Sequence, residues 1–229
     1  MASCQKEKNM FSEIFYTVGR VVIQAYARFM LKMDVSSPAD LPAGPVLYAA
    51  NHPSTTDPIF IHLISRQPIS VMITSKVFSI PVLGAYMRKM RQIEVIPGEG
   101  EMVLEQARQA LEQGRSVMIF PEGLISPPDG FHPPRSGVAR LALQTGVPVV
   151  PLGIYLSEKN CKRIPTTLDG EPDMITWYLR GPYAVTLGAP LHFGGDPGDR
   201  SLVKTVAENI MHHIRTLAAE SRTRARGAA

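Results

Sequence analysis

Val46-Leu47-Tyr48-Ala49-Ala50-Asn51-His52-Pro53-Ser54-Thr55-Thr56-Asp57-Pro58-Ile59-Phe60-Ile61-His62-Leu63-Ile64 holds the change of pattern that decides the fold. Its first five residues are an apolar run of strand character. A polar loop follows, and after Asp57-Pro58 the apolar residues continue as a helix. The chain therefore sets His52 just past a strand end and Asp57 at a helix start, where the turn brings the carboxylate back to the imidazole. A base oriented by a carboxylate is the arrangement that activates a hydroxyl nucleophile. A plainer reading stands beside it. Asp followed by Pro is also a strong helix-start signal, with Asp as N-cap and Pro as first helical residue.

Outward from this stretch, strands and helices alternate. Strands are expected at Ser70–Thr74, Gln92–Ile96, Ser116–Phe120 and Val147–Tyr155. The last holds two prolines, which suits an edge or a bulge. Helical periodicity covers Lys76–Met90, Met102–Gln113, Val138–Gln144 and Ser201–Ala219. Residues Ser126–Ser136 read as an irregular loop, and Asn160–Asp173 as a long one. Trp177–Arg180 and Tyr183–Gly188 are expected to form a hairpin around Gly181-Pro182. The fold class is α/β: a mixed, largely parallel sheet covered by helices on both faces, with an N-terminal amphipathic helix. Chemistry in such folds sits at the carboxyl ends of strands, and His52 and Glu122 both fall just past strand ends.

The N-terminal helix is expected over Met10–Met33, broken near Gly19. Its apolar stripe includes Phe11, Val18, Val22, Tyr26 and Phe29, and Arg20 and Arg28 lie on its other side. Either the stripe packs on the domain, or part of it lies in a bilayer interface. The domain plan is residues 1–34 for this membrane-associating helix, 35–220 for the main domain and 221–229 for a basic, disordered tail.

At 229 residues and 45% hydrophobic content, the chain supports one sizeable core. The net charge of +4 is mildly basic, and its cations are not interleaved with aromatics as a nucleic-acid groove requires. An anionic membrane surface or substrate suits it better. Cys4 and Cys161 form no metal or redox motif and read as inert. The start shows no cleavable signal pattern, and no apolar run is long enough to span a bilayer. No phosphate loop, nucleophile elbow or zinc-binding helix is present. His212 and His213 are adjacent on a helix and face different ways.

Asn51-His52-x4-Asp57, Phe120-Pro121-Glu122-Gly123 and Val147-Pro148-Val149-Val150-Pro151-Leu152-Gly153-Ile154, in that order, resemble the glycerolipid acyltransferase family, whose type member is the 1-acylglycerol-3-phosphate (lysophosphatidate) acyltransferase. The resemblance runs from Pro45 to Tyr155. It takes in Lys76–Gly84 and Arg135–Ala142, which resemble the segments before the family's second and fourth blocks. It implies an O-acyltransferase of phospholipid biosynthesis on the cytoplasmic face of a membrane, held peripherally. Acyl-CoA or acyl-carrier protein would be the co-substrate, with no cofactor and no metal. His52 would take the proton from the acceptor hydroxyl, and Asp57 would orient the imidazole. Glu122 would position the acceptor, and Gly123 would let backbone approach it. Main-chain N–H groups at the helix start after Asp57 would stabilise the oxyanion. Asn51 and Pro121 support the motifs.

The chain departs from the family twice. The arginine that usually ends the second block is Pro97 here, and that of Phe-Pro-Glu-Gly-Thr-Arg-Ser is Ile125. Those arginines are the expected phosphate clamp. Lys76, Arg88, Arg91 and Arg135 are the candidates to replace it, together with Lys89. Another lipid alcohol or glycolipid as acceptor, or a silent lipid-binding protein, are the alternatives. A metal-dependent hydrolase lacks a third ligand near His52 and Asp57.

Overall fold

The computed structural model describes residues 19, 21–37, 40–65, 67–168 and 171–227, without the side chains of Leu168 and Glu171–Asp173. Among the described residues, seven strands form one sheet. β2 (Leu47–Ala50), β3 (Ile69–Thr74), β4 (Ile93–Val95), β5 (Ser116–Ile119) and β6 (Val149–Leu156) are mutually parallel in the order β6-β2-β5-β3-β4. β9 (Tyr183–Leu187) pairs antiparallel with β6, and β1 (Asp34–Ser36) pairs parallel with β9. The sheet is mixed and largely parallel, as the alternating pattern led us to expect.

β2 has all four residues buried because both faces of a parallel sheet are covered. Tyr48 and Ala50 point into one layer with Phe60, Phe78 and Leu31. Leu47 and Ala49 point into the other, formed by α5 (Gly100–Glu112), α6 (Gly137–Thr145) and α7 (Arg200–Gly227). Gly153 of β6 lets α7 approach closely: a Cβ there would lie 2.0 Å from the Ala218 nitrogen. The Ser221 hydroxyl donates to the Gly153 carbonyl at 2.8 Å.

Several expectations need correction. β6 is internal although it holds Pro151, and the second proline of the expected strand, Pro148, lies just before it. The Pro151 carbonyl accepts the Gly188 N–H at 2.8 Å, so the missing Pro151 donor faces the same side, just beyond the end of β9. The segment 160–173 is not a loop: β7 (Cys161–Leu168) and β8 (Glu171–Tyr178) pair with each other as a separate two-stranded ribbon. Trp177-Tyr178 therefore belongs to β8, and Tyr183–Leu187 joins the main sheet, so those two segments form no hairpin. The pattern over Lys76–Met90 is two helices, α3 (Ser75–Ser79) and α4 (Pro81–Lys89). Ile80 between them is extended because a residue before proline is driven out of the helical region. The expected tail after Glu220 is the last two turns of α7, with Ser221 and Ala225 buried. Arg224 fixes it there, donating to Asp34 at 2.9 Å and to the Val185 carbonyl at 3.0 Å.

Most of the expected Met10–Met33 helix lies outside the described residues. The described part, α1, is helical over 21–29. Ala27 and Leu31 are buried, and Tyr26 stacks on Phe60 of α2 (Asp57–Phe60). Val21, Val22 and Phe29 remain exposed, so this helix both packs on the domain and presents an apolar side outward.

Candidate active site

His52 and Asp57 meet. His52 Nδ1 lies 3.0 Å from Asp57 Oδ2, and the carboxylate is fully buried. Asp57 is the first residue of α2 and Thr56 the cap, so the carboxylate is not spent on capping. It accepts the Ser54 N–H at 2.8 Å and the Tyr183 hydroxyl at 2.8 Å. Burial, and next the Asp57 charge, push the Tyr183 hydroxyl well above its ordinary pKa, so it stays a donor. A carboxylate oxygen only accepts, so the proton on His52 sits at Nδ1 and the lone pair at Nε2. Phe120 stacks on the imidazole with ring centroids 4.1 Å apart and fixes its plane.

Asn51 acts as a clasp. Its amide donates to the Ile154 carbonyl at 2.9 Å and accepts the Ile154 N–H at 2.7 Å, tying the loop after β2 to β6. The β7–β8 ribbon covers the other side of that loop. Ser54 donates to the Thr176 carbonyl at 2.9 Å, and Thr55 exchanges hydrogen bonds with Thr176 through its main chain and hydroxyl. Nothing in the reading of 160–173 as a loop anticipated this wall. The signal for it was Asp169-Gly170 between two segments of strand character.

His52 lies on the wall of a cavity of about 1530 Å³. Apolar side chains from α3, α4, the strand ends and β8 supply most of the rest, among them Val77, Leu83, Met87, Ile119 and Trp177. Pro121 and Gly123 are on this wall, and so are Pro97 and Ile125, the two positions without the family's arginines. Gly123 has φ +66, and a Cβ there would come 2.6 Å from Arg135 Nε. The Arg135 side chain therefore lies across Gly123, facing the cavity. Lys76 is also on the wall, donating to the Thr167 carbonyl at 2.8 Å.

Other expected residues stand elsewhere. Glu122 is buried behind the wall. Its Oε1 accepts the Ser126 hydroxyl at 2.5 Å and its Oε2 the His132 N–H at 2.7 Å. Arg88 sits over the Phe78 ring and 3.6 Å from Glu94, off the cavity wall, as is Arg91, which has φ 55 in the turn after α4. The expected oxyanion donors at the helix start are engaged: the Thr56, Asp57 and Ile59 N–H groups all donate within the loop and first turn. Arg140 was missed. It lies on the wall in a two-pronged pair with Glu101. Among the described residues, no three His, Cys, Asp or Glu side chains cluster as metal ligands.

The site is a carboxylate-held histidine at the carboxyl edge of a mixed, largely parallel α/β sheet, opening on a mostly apolar cavity. The acyltransferase family model matches residues 32–155, and the chain belongs to that family. It is 32% identical over 126 residues to the chloroplastic 1-acyl-sn-glycerol-3-phosphate acyltransferase BAT2 of Brassica napus, which covers 53% of this chain and 36% of that one. It is 24% identical to a lyso-ornithine lipid O-acyltransferase of Pseudomonas aeruginosa, covering 64% and 57%. The 1-acyl-sn-glycerol-3-phosphate acyltransferase of the same organism is 25% identical, covering 65% and 64%. The chain thus spans between about a third and two thirds of the length of these relatives. The crystal structure of the 1-acyl-sn-glycerophosphate acyltransferase PlsC from Thermotoga maritima has the same fold, with a TM-score of 0.60 at 21% identity, covering 89% of this chain and 83% of that one.

Proposed function

We propose that this chain moves a fatty acyl group from a thioester, acyl-CoA or acyl-carrier protein, to the hydroxyl of a lysophosphatidate-like lipid at a membrane surface. The observation that carries the reading is the His52–Asp57 pair at 3.0 Å on the wall of a large apolar cavity. His52 Nε2 takes the acceptor's hydroxyl proton as its oxygen attacks the thioester carbonyl. Asp57 stabilises the imidazolium that forms. As the C–S bond breaks, the proton passes to the leaving thiolate. The step needs no covalent enzyme intermediate, and this chain's residues perform it without a cofactor.

Arg135 and Lys76 line the cavity, where Arg140 is taken up by Glu101, and we assign to these two the meeting with an acceptor head group. The apolar Pro97 and Ile125 favour a second reading, in which the head group is not a phosphomonoester. The Pseudomonas relative named for a lyso-ornithine lipid is in keeping with such a change. The chain would work at the cytoplasmic face of a membrane; no helix among the described residues is long and apolar enough to cross one. The test is an acceptor screen with radiolabelled acyl-CoA and acyl-carrier protein. Lysophosphatidate, lyso-ornithine lipid, monoacylglycerol and a lysoglycolipid compete in it. Acyl transfer to at least one, lost in His52→Ala, is expected. Lipid binding with no thioester turnover would leave a silent lipid-binding protein instead.

A further inference from the structure

The elbow between α3 and α4 carries apolar side chains on the outside. Its geometry is fixed: Ile80 is held extended by Pro81, and a Cβ on Gly84 would lie 2.0 Å from the Phe78 carbonyl oxygen. At the corner, Val82 is 84% exposed, Ile80 49% and Leu83 38%. Ile80 and Leu83 are at the same time part of the cavity wall. The apolar lining therefore runs out of the cavity onto the surface. Ile23 of α1 lines the same cavity, and its neighbours Val21 and Val22 extend the exposed apolar area. A patch of this kind, continuous with a binding cavity, marks an interaction surface.

Charge identifies what it meets. Residues 67–93 contain Lys76, Arg88, Lys89 and Arg91 and no Asp or Glu, so this stretch alone carries the whole chain's formal excess of +4. Arg88 shares its charge with Glu94 from the adjoining strand at 3.6 Å. Apolar side chains at a corner, within a stretch whose only formal charges are positive, match an anionic bilayer, whose head groups take the cations and whose acyl region takes the corner.

We propose that the α3–α4 elbow is a bilayer-seating wedge that inserts Val82 and its neighbours among lipid acyl chains. The cavity then opens into the membrane rather than into water, and the acceptor and its chain enter sideways from the bilayer. Seating stands on the surface alone; only the delivery of an acceptor rests on the acyltransferase reading.

The experiment compares the full chain with Val82→Asp and Val82→Trp. Val82 is not on the cavity wall, and its exposure leaves the fold intact on substitution. Sedimentation with phosphatidylcholine vesicles, with and without phosphatidylglycerol, reads seating. The parent is expected to bind the phosphatidylglycerol vesicles. Val82→Asp should lower the partition coefficient about tenfold, and Val82→Trp should raise it. Turnover of a water-soluble short-chain donor and acceptor should be the same in all three, while turnover of a vesicle-embedded acceptor follows the binding. Equal vesicle binding by parent and Val82→Asp, or none by the parent, overturns the wedge. So does a concentration-dependent dimer that Val82→Asp dissolves, which assigns the corner to a second copy of the chain. Absence of turnover in every protein defeats the acyltransferase reading and leaves the sedimentation result standing by itself.

Discussion

The Ser126 hydroxyl donates to Glu122 Oε1 at 2.5 Å, and its oxygen accepts the main-chain N–H of His52 at 3.0 Å. The Ser126 N–H returns a bond to the His52 carbonyl at 2.8 Å. Glu122 thus reaches the histidine's backbone through one hydroxyl, with both of its carboxylate oxygens engaged inside the protein. In Glu122→Gln a neutral amide replaces the carboxylate: facing His132 its N–H₂ loses that bond, and facing Ser126 it turns the hydroxyl into an acceptor, so the charge-assisted pair of bonds is not kept either way. We expect kcat to fall about ten- to a hundredfold, with acceptor KM within about threefold, the size of one charge-assisted hydrogen bond. Ser126→Ala should match it. A Glu122→Gln enzyme with raised acceptor KM and unchanged kcat would return Glu122 to the acceptor site.

Asp57 is tested by its own series. Asp57→Asn removes the negative charge that stabilises the imidazolium, and its amide can present an oxygen either to Ser54 and His52 Nδ1 together or to Tyr183, never to all three. Activity should fall about 10³–10⁴-fold, close to the loss in His52→Ala. Tyr183→Phe removes one bond to the buried carboxylate and should cost about 1.5–3 kcal/mol of stability, with activity reduced less than in Asp57→Asn. Thr56 is the cap of α2, so helix stability should be insensitive to Asp57→Asn. Full activity in Asp57→Asn with a lowered melting temperature in Asp57→Ala would leave Asp57 a structural residue only.

Cys161 gives a pH prediction. Burial first, and the Glu158 charge next, push its thiol up to about 11. The group stays protonated below that pH and ionises only above it. In a Cys4→Ser background, iodoacetamide should react at pH 8 about a hundredfold more slowly than with a free thiol, because thiolate is the nucleophile. The rate should rise as pH approaches 11. Rapid alkylation at pH 8 would show an accessible, ordinary thiol.

Much of the sheet was legible because its strands are fully buried apolar runs, Leu47–Ala50 and Ser116–Ile119 among them, each bounded by turn residues. His52 and Asp57 were legible because a strand end and a helix start five residues apart leave little freedom in where they meet. What failed were inferences from single residues. Two prolines were taken to favour an edge or bulged strand, but Pro151 faces the side where β9 has already ended. Arginines after Glu220 were taken for a solvated tail, but Ser221 and Ala225 recur with the period of the buried face of α7. The place of Glu122 was not readable at all, since the bonds that bury it come from Ser126 and His132, whose approach depends on the path of an irregular loop. Arg88 rides on α4, which starts afresh at Pro81 rather than continuing α3, and Arg91 lies in the left-handed turn after it, so neither comes to the cavity wall.

The end of α7 gives the final prediction. Deleting residues 221–229 removes the buried Ser221, its 2.8 Å bond to the Gly153 carbonyl, and the Arg224 bonds that hold β1 and β9. Gly153 would keep its close approach to Ala218 but lose the acceptor's partner one turn further on. A disordered tail would be dispensable, whereas this one closes an edge of the sheet. The truncation should lose about 3–5 kcal/mol in urea unfolding, from a buried hydrogen bond, lost apolar cover and an uncovered strand pair. Arg224→Ala should lose less, about 1–2 kcal/mol, because its pair with Asp34 is partly exposed and only the bonds to Thr186 and Val185 are sheltered. Ser221→Ala removes both the bond to the Gly153 carbonyl and the 2.6 Å bond between the Ser221 and Thr186 hydroxyls, and should fall between the two. Unfolding midpoints that coincide for the full chain, the truncation and both point variants would show that the last turns of α7 add nothing to the fold.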